Sequence, residues 1–596
     1  MKSSIKLHPG RWAIGLIALM TVALVACGGS SEPAAEPAAS EVSKKAADVQ
    51  LAPTVGILAT SVPAVAAAKP TPTLGAVMTA KDTVRIITSE EANTLGASSN
   101  NCVGNIPNTI CDDWISDPLT WVDNKTFEIV PLSPIEGWEQ LAPDRWQFKL
   151  REGVTFHSGN DWNSEHAAFW ISYFGDEETS GHSNSNDFSF HGVFKGEAVD
   201  PLTLDIVCKN PCPILPRTTI FTKFMDKDWW EAASEDERET NTMGLGPYKL
   251  VEWRRGVEVE MEAFDGYKPN VAADSSAPSI KHAFQIWRNE PLVRAAMLQA
   301  DEADWAEITL DDRDRVPQFK VATNNEVYLY NIDTMHHPEL KKREVRLALN
   351  LAIDCDTLMA ELYDDLLKCY GNIAQTGTVG ITPENSAPYG YDPDQARQLL
   401  KDAGYDPANK ITLSARSQKV VKDVEYAEAV VSYWKEVGIN AELNIVESGV
   451  HSNIGRSNCG HKVSRADFMA AAGALLEDKC RTLGPGTPNF ASMNLSAPAT
   501  STESLDYSRQ GILRNSCFSR SSGVCEQELQ EMIKLANETD TGPLRTERQQ
   551  AVADHAREHV HFVVNFQNVV VYGLSKDLQW DPYYAPRIRP NTMSFK

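Results

Sequence analysis

Trp146-Gln-Phe-Lys-Leu-Arg-Glu-Gly-Val-Thr-Phe-His-Ser-Gly159 decides the reading of the fold. Trp146, Phe148 and Leu150 alternate with Gln147, Lys149 and Arg151, the period of a strand with one buried face. Glu152-Gly153 then predicts a turn and Val154 to Phe156 a second short strand. Val84 to Thr88 predicts a strand at the start of the folded body. Gly244-Leu-Gly-Pro-Tyr-Lys-Leu-Val-Glu-Trp253 predicts a glycine turn feeding a strand. Arg254-Arg-Gly256 turns the chain into the alternating run Val257 to Met261, so a β-hairpin is expected there.

The later sequence changes character. Leu292, Ala295, Ala296 and Leu298 have helical spacing within Pro291 to Asp301. In Tyr391 to Gly404, Asp392 suits an N-cap, Pro393 the first helical position and Gly404 the left-handed stop. Val424 to Val437 predicts another helix, stopped by Gly438 and followed by the alternating strand Ile439 to Ile445. Helix, glycine and strand in that order make an α/β unit. Residues 84–325 therefore read as β-rich and 326–550 as more helical. No fixed-period repeat is present.

The beginning of the chain speaks for export. Lys2, Lys6 and Arg11 precede the apolar run Ala13 to Ala26, the charge and length pattern of a secretory signal. Leu24-Val-Ala-Cys27-Gly28 is similar to a bacterial lipobox, which implies cleavage before Cys27 and a lipid on that residue. Residues 27–80 are rich in Ala, Pro and Ser and read as a tether. The chain carries 56 basic and 81 acidic residues, a net charge of −25. Such an acidic body repels nucleic acid and anionic headgroups, so membrane contact is expected only through the lipid.

Beyond Cys27 there are ten cysteines, an even number in an exported chain. Proximity pairs Cys102 with Cys111, Cys208 with Cys212, Cys355 with Cys369, Cys459 with Cys480 and Cys517 with Cys525. Sequence does not fix that connectivity. The folded body has no His-Glu-x-x-His zinc motif, no Gly-x-Ser-x-Gly elbow and no phosphate-binding Gly-x-x-x-x-Gly-Lys loop. No catalytic residue, cofactor or resident metal is therefore expected. His555, His559 and His561 fall at a helix-to-strand corner, where surface or core roles outweigh a metal pair.

Five segments in register resemble the extracytoplasmic solute-binding proteins of family 5. They are Trp146 to Gly159, Gly246-Pro-Tyr-Lys-Leu-Val-Glu-Trp253 with Val259 to Tyr267, Lys342-Arg-Glu-Val-Arg-Leu-Ala-Leu-Asn-Leu-Ala-Ile-Asp354, Tyr391 to Tyr405, and Gly438-Ile-Asn440. The resemblance runs from about residue 82 to the C-terminus. It implies a two-lobed α/β fold of the type II periplasmic binding-protein kind, with a β-rich subdomain in the first lobe. The expected organisation is a signal peptide at 1–26, a tether at 27–80, lobe one at 81–325, lobe two at 326–550 and a return to lobe one at 551–596. It also implies a monomeric, exported lipoprotein that passes a small solute of peptide type to an ABC transporter permease.

The ligand cleft implied lies between the lobes. Asp113 and Trp114 fall where the family's first cleft loop occurs; Trp114 suits either a cleft wall or core packing. Asp304 and Trp305 stand near the approach to lobe two. Glu477 and Asp478 suit a ligand amino group, and Arg481 suits a ligand carboxylate or those neighbouring acids. The stretch Ala470 to Cys480 lacks the aromatic expected of peptide-binding relatives. A nickel chelate or other non-peptide solute on the same fold is the alternative, and a tethered hydrolase the reading from another class.

Overall fold

The computed structural model describes residues 81–596 apart from 93, 97–108, 176–193, 271–274, 335–336, 417–419, 447–494, 497–498, 502–505, 508–523 and 525. The chain divides into Met1–Val77 and Met78–Lys596; every element below belongs to the second unit.

β1 (Thr83–Thr88) is followed by the short antiparallel ribbon of β2 (Thr120–Val122) and β3 (Ile129–Pro131). β4 (Ile135–Ala142), β5 (Arg145–Leu150), β6 (Phe194–Asp200) and β7 (Thr203–Cys208) form a four-stranded sheet in the order β4-β5-β7-β6. The alternation read from Trp146 to Leu150 holds: Trp146, Phe148 and Leu150 are buried while Lys149 is exposed. They face the helix Ser164–Gly175, whose Trp170, Ile171 and Phe174 share their core. β8 (Tyr248–Arg254) and β9 (Glu258–Ala263) are the expected hairpin. Gly246 precedes it because a Cβ there would stand 2.6 Å from the carbonyl oxygen of Trp114.

β10 (His282–Trp287), β11 (Trp305–Ile308) and the long β12 (Gln318–Ile332) follow. β13 (Lys368–Cys369), β14 (Ile411–Arg416), β15 (Ala441–Val446), β16 (Leu495–Ser496), β17 (Ala499–Ser501) and β18 (Phe562–Leu574) complete a 12-stranded sheet. Its main order is β15-β14-β16-β12-β18-β11-β1-β10-β9-β8. β19 (Leu578–Gln579) and β20 (Ser594–Phe595) pair separately near the C-terminus.

Two sets of parallel strands make up this sheet. β1 runs parallel to β10 and β11, and β14 runs parallel to β15 and β16. The antiparallel pair β12–β18 joins them. Gln318–Thr323 pairs with Leu574–Val569 beside β11, and Val327–Asn331 pairs with Gln567–Phe562 beside β16. The register shifts between Thr323 and Val327, where the same two strands pass from one set to the other.

The helices on the second set follow their sequence signals. Pro393–Asp402 begins behind Asp392, whose side chain accepts from the backbone N–H of Gln395 at 2.8 Å. Gly404 ends it with φ of 58°. Asp423–Glu436 buries Tyr426, Val430 and Trp434 against Tyr328, Tyr330 and Phe566. The stretch Lys342 to Asp354 contains the helix Arg343–Leu351, and a second helix, Cys355–Tyr363, starts behind Asp354. A separate core on the first set gathers Trp114, Tyr248 and Trp305.

Candidate functional site

A cavity of about 430 Å³ opens beside the first strand set, within the volume range of small-molecule sites. Trp121, Asn124, Ser275, Tyr583, Arg587 and Arg589 line it, among others. Trp121 is carried by β2. The C-terminal chain supplies the opposite wall and is held there by hydrogen bonds. Tyr583 Oη donates to the Val122 carbonyl at 2.8 Å. Asn124 Oδ1 accepts from Tyr584 N at 2.8 Å. Trp114 Nε1 donates to the Ile588 carbonyl at 2.7 Å, pinning the backbone between the two arginines.

Both arginines are anchored by buried carboxylates. Arg587 Nη1 donates to Asp113 Oδ1 at 2.7 Å, and Arg589 Nη2 to Asp117 Oδ1 at 2.7 Å. Asp117 also accepts from Tyr267 Oη at 2.8 Å, and that hydroxyl meets the cavity residue Ser275 at 2.7 Å. The guanidinium carbons lie 5.1 and 5.0 Å from the ring centre of Trp121, within cation–π range. Trp121 in turn stacks on Tyr583 at 4.8 Å. Burial opposes the charge on Arg589, but the carboxylates of Asp117 and Asp113 outweigh it and hold the group charged. Its side chain is only 4% exposed. Yet Nε and Nη1 of Arg589 have no hydrogen-bond partner among the described residues. A buried cation with two unspent donors on an aromatic-walled cavity suits a carboxylate or similar planar anion.

Three of the residues singled out in the sequence stand directly behind this wall, and none lines it. Asp113 anchors Arg587, Trp114 anchors Ile588, and Trp305 packs edge-on to the cavity residue Trp580 at 5.8 Å. Asp304 ties strand starts together, accepting from the Arg85 backbone at 2.8 Å and pairing with the Lys81 ammonium. Glu477, Asp478 and Arg481 lie outside the described residues, as does Cys27. The arginines went unnoticed in the sequence: Arg-Ile-Arg in Ala585-Pro-Arg-Ile-Arg-Pro590 has no periodicity that announces a site.

A second position bears on the sheet junction. Arg416 ends β14 at its carboxyl terminus, the edge where parallel α/β sheets bind ligands. Burial lowers its pKa, while the charges of Glu326, Tyr328 and Asp423 act the other way. Nε of Arg416 has no hydrogen-bond partner among the described residues.

The cysteines partly resolve. Disulfides join Cys208 to Cys212 and Cys355 to Cys369, with Cα atoms 6.3 and 6.0 Å apart. Cys111 is also disulfide-bonded. Cys102, Cys459, Cys480, Cys517 and Cys525 lie outside the described residues.

The histidines at the helix-to-strand corner converge on one carboxylate that the sequence reading did not pair with them. Glu526 Oε2 lies 3.0 Å from His555 Nε2 and 3.4 Å from His559 Nδ1, and Oε1 lies 2.9 Å from His561 Nε2. Burial opposes ionisation of Glu526, but hydrogen bonds from His555 and His561 prevail and hold its carboxyl well below the usual range. Burial lowers the pKa of His561.

The junction strands, the two parallel sets and the added four-stranded sheet define a two-lobed α/β binding protein of type II. CtaP from Listeria monocytogenes has the same fold, with a TM-score of 0.71 at 18% identity, covering 87% of this chain and 100% of that one. DppA from Helicobacter pylori, solved with the peptide STSA, superposes with a TM-score of 0.65 at 16% identity, covering 87% and 98%. The chain belongs to the bacterial extracellular solute-binding proteins, family 5, whose middle region matches residues 129–471. The glutathione-binding protein GsiB of Escherichia coli K12 is 26% identical over 327 residues, 50% of this chain. The chain spans 58% of the length of that curated relative. No helix among the described residues is long and apolar enough to cross a membrane.

Proposed function

We propose that this protein is the solute-binding component of an ABC importer, without catalytic chemistry of its own, and that its solute is a small peptide. The observation that carries the reading is the β12–β18 pair, which threads both strand sets of a family 5 fold. Two strands shared by two rigid lobes form a hinge on which the lobes close over a ligand. Closure is driven only by contacts that the ligand makes better in the closed state. Relatives named for glutathione and solved with a peptide support the solute class.

In this reading residues 1–26 direct export and a lipid on Cys27 anchors the chain. Residues 27–80 tether a monomeric body made of lobe one (81–325), lobe two (326–550) and the return (551–596). Arg589 takes the peptide carboxylate in lobe one, with Asp113, Trp114 and Trp305 holding its wall. Asp304 braces the same lobe, and Glu477, Asp478 and Arg481 supply contacts from lobe two.

The test is native mass spectrometry of the detergent-solubilised, oxidised protein, followed by a thermal screen against di- and tripeptides that includes glutathione. A peptide released on unfolding establishes the class. A peptide at 100 times its Kd should add about 2.7 kcal/mol of stability. A retained metal chelate would replace the peptide reading with the non-peptide one. An empty protein that no peptide stabilises would refute peptide capture.

A further inference from the structure

We propose that Glu526, His559 and His561 form a binding site for one divalent transition-metal ion of zinc type, oriented by His555. The inference is independent of the solute reading, because none of these residues lines the arginine cavity.

The three ligands come from three separate places. Glu526 is the N-cap of the helix Gln527–Asn537, His559 the C-cap of the helix Pro543–Glu558, and His561 immediately precedes β18. One ligand atom from each of the three lies within 4.8 Å of the others. Zinc bound to nitrogen or oxygen at about 2.0–2.1 Å in a tetrahedral shell places its ligand atoms about 3.3 Å apart. Glu526 Oε1 lies 2.9 Å from His561 Nε2 and Oε2 lies 3.4 Å from His559 Nδ1, so the two oxygens of one carboxylate stand close to that edge from the two imidazoles. His555 stacks on His559 at 4.0 Å and reaches the same carboxylate oxygen, the arrangement of an outer group that orients a metal ligand.

The backbone is bent to bring these groups together. Val560, between His559 and His561, has φ of 53° and is completely buried. A β-branched residue rarely adopts that conformation, and such strain gathers at functional sites. It turns the chain so that His561, also fully buried, faces Glu526. Arg346 is engaged with the carbonyls of His559, Val560, Leu340 and Lys341. The position also lies at a helix C-terminus, where positive charge is favoured. Three protein ligands leave one coordination position open. His559, 40% exposed, gives the ion its entry.

The experiment uses the full chain, stripped with chelator and titrated with Co²⁺ and then Zn²⁺, following visible d–d absorption and stoichiometry by equilibrium dialysis. The expected result is one Co²⁺ per chain with the spectrum of a four-coordinate nitrogen–oxygen site, displaced by Zn²⁺. His559→Ala and Glu526→Gln, checked for folding by circular dichroism without metal, should each weaken binding by at least about tenfold. His282→Ala, distant in the first strand set, should leave it unchanged. Absence of the spectrum in the unaltered chain would overturn the proposal. So would undiminished binding in a folded His559→Ala or Glu526→Gln protein.

Discussion

Arg589→Lys separates the two tasks assigned to Arg589. The guanidinium spends Nη2 on Asp117, and its buried Nε and Nη1 have no hydrogen-bond partner among the described residues. Lysine keeps the charge opposite the fully buried Asp117, but a single ammonium there cannot also present two fixed donors to a ligand. Hydrogen bonds to charged groups contribute about 1.5–3 kcal/mol each. Losing two at the low end costs about 3 kcal/mol, roughly a 150-fold rise in Kd. Stability should fall much less than in Arg589→Met. That change strands the Asp117 carboxylate among buried groups and should cost about 3–5 kcal/mol. Calorimetry with a binding peptide and its C-terminal amide measures the first effect; urea unfolding measures the second. The amide should bind the unaltered protein as weakly as the free acid binds the lysine variant. If Arg589→Lys binds the free acid within about twofold of the unaltered protein, or the amide binds equally well, Arg589 does not hold the carboxylate.

Three further outcomes are expected. Burial pushes the partly buried His157 down to about 4, while the unfolded chain titrates near 6.5. The unfolded state then binds more protons between those values, so this contribution is complete above pH 6.5 and lost as pH falls toward 4. Urea midpoints across that window should show a loss of about 2 kcal/mol, absent in a folded His157→Gln variant. Removing the Cys355–Cys369 bridge with paired serines opens a loop of sequence separation 14 and should cost about 3 kcal/mol in oxidised protein. Arg545→Met should cost about 3–5 kcal/mol by thermal or urea unfolding. It breaks a two-bond pair with Asp506 at 3.0 Å, buried on both sides, and frees three backbone carbonyls.

Local elements and family membership are legible in the residue pattern. Alternation at Trp146, Phe148 and Leu150 reports which face is buried because strand side chains repeat every second residue. The cap at Asp392 and the stop at Gly404 are likewise set within one helical turn. The matched order of such segments points to the fold. Tertiary structure alone decided the site. Asp113 meets Arg587 across 474 positions and Asp117 meets Arg589 across 472. Glu526 meets His561 across 35 positions through a left-handed Val560 that no periodicity forecasts. Sequence patterns register neighbours separated by two, three or four residues. Where distant side chains converge is fixed by how β12 and β18 carry the chain between the lobes and by how its C-terminal end packs back against β2.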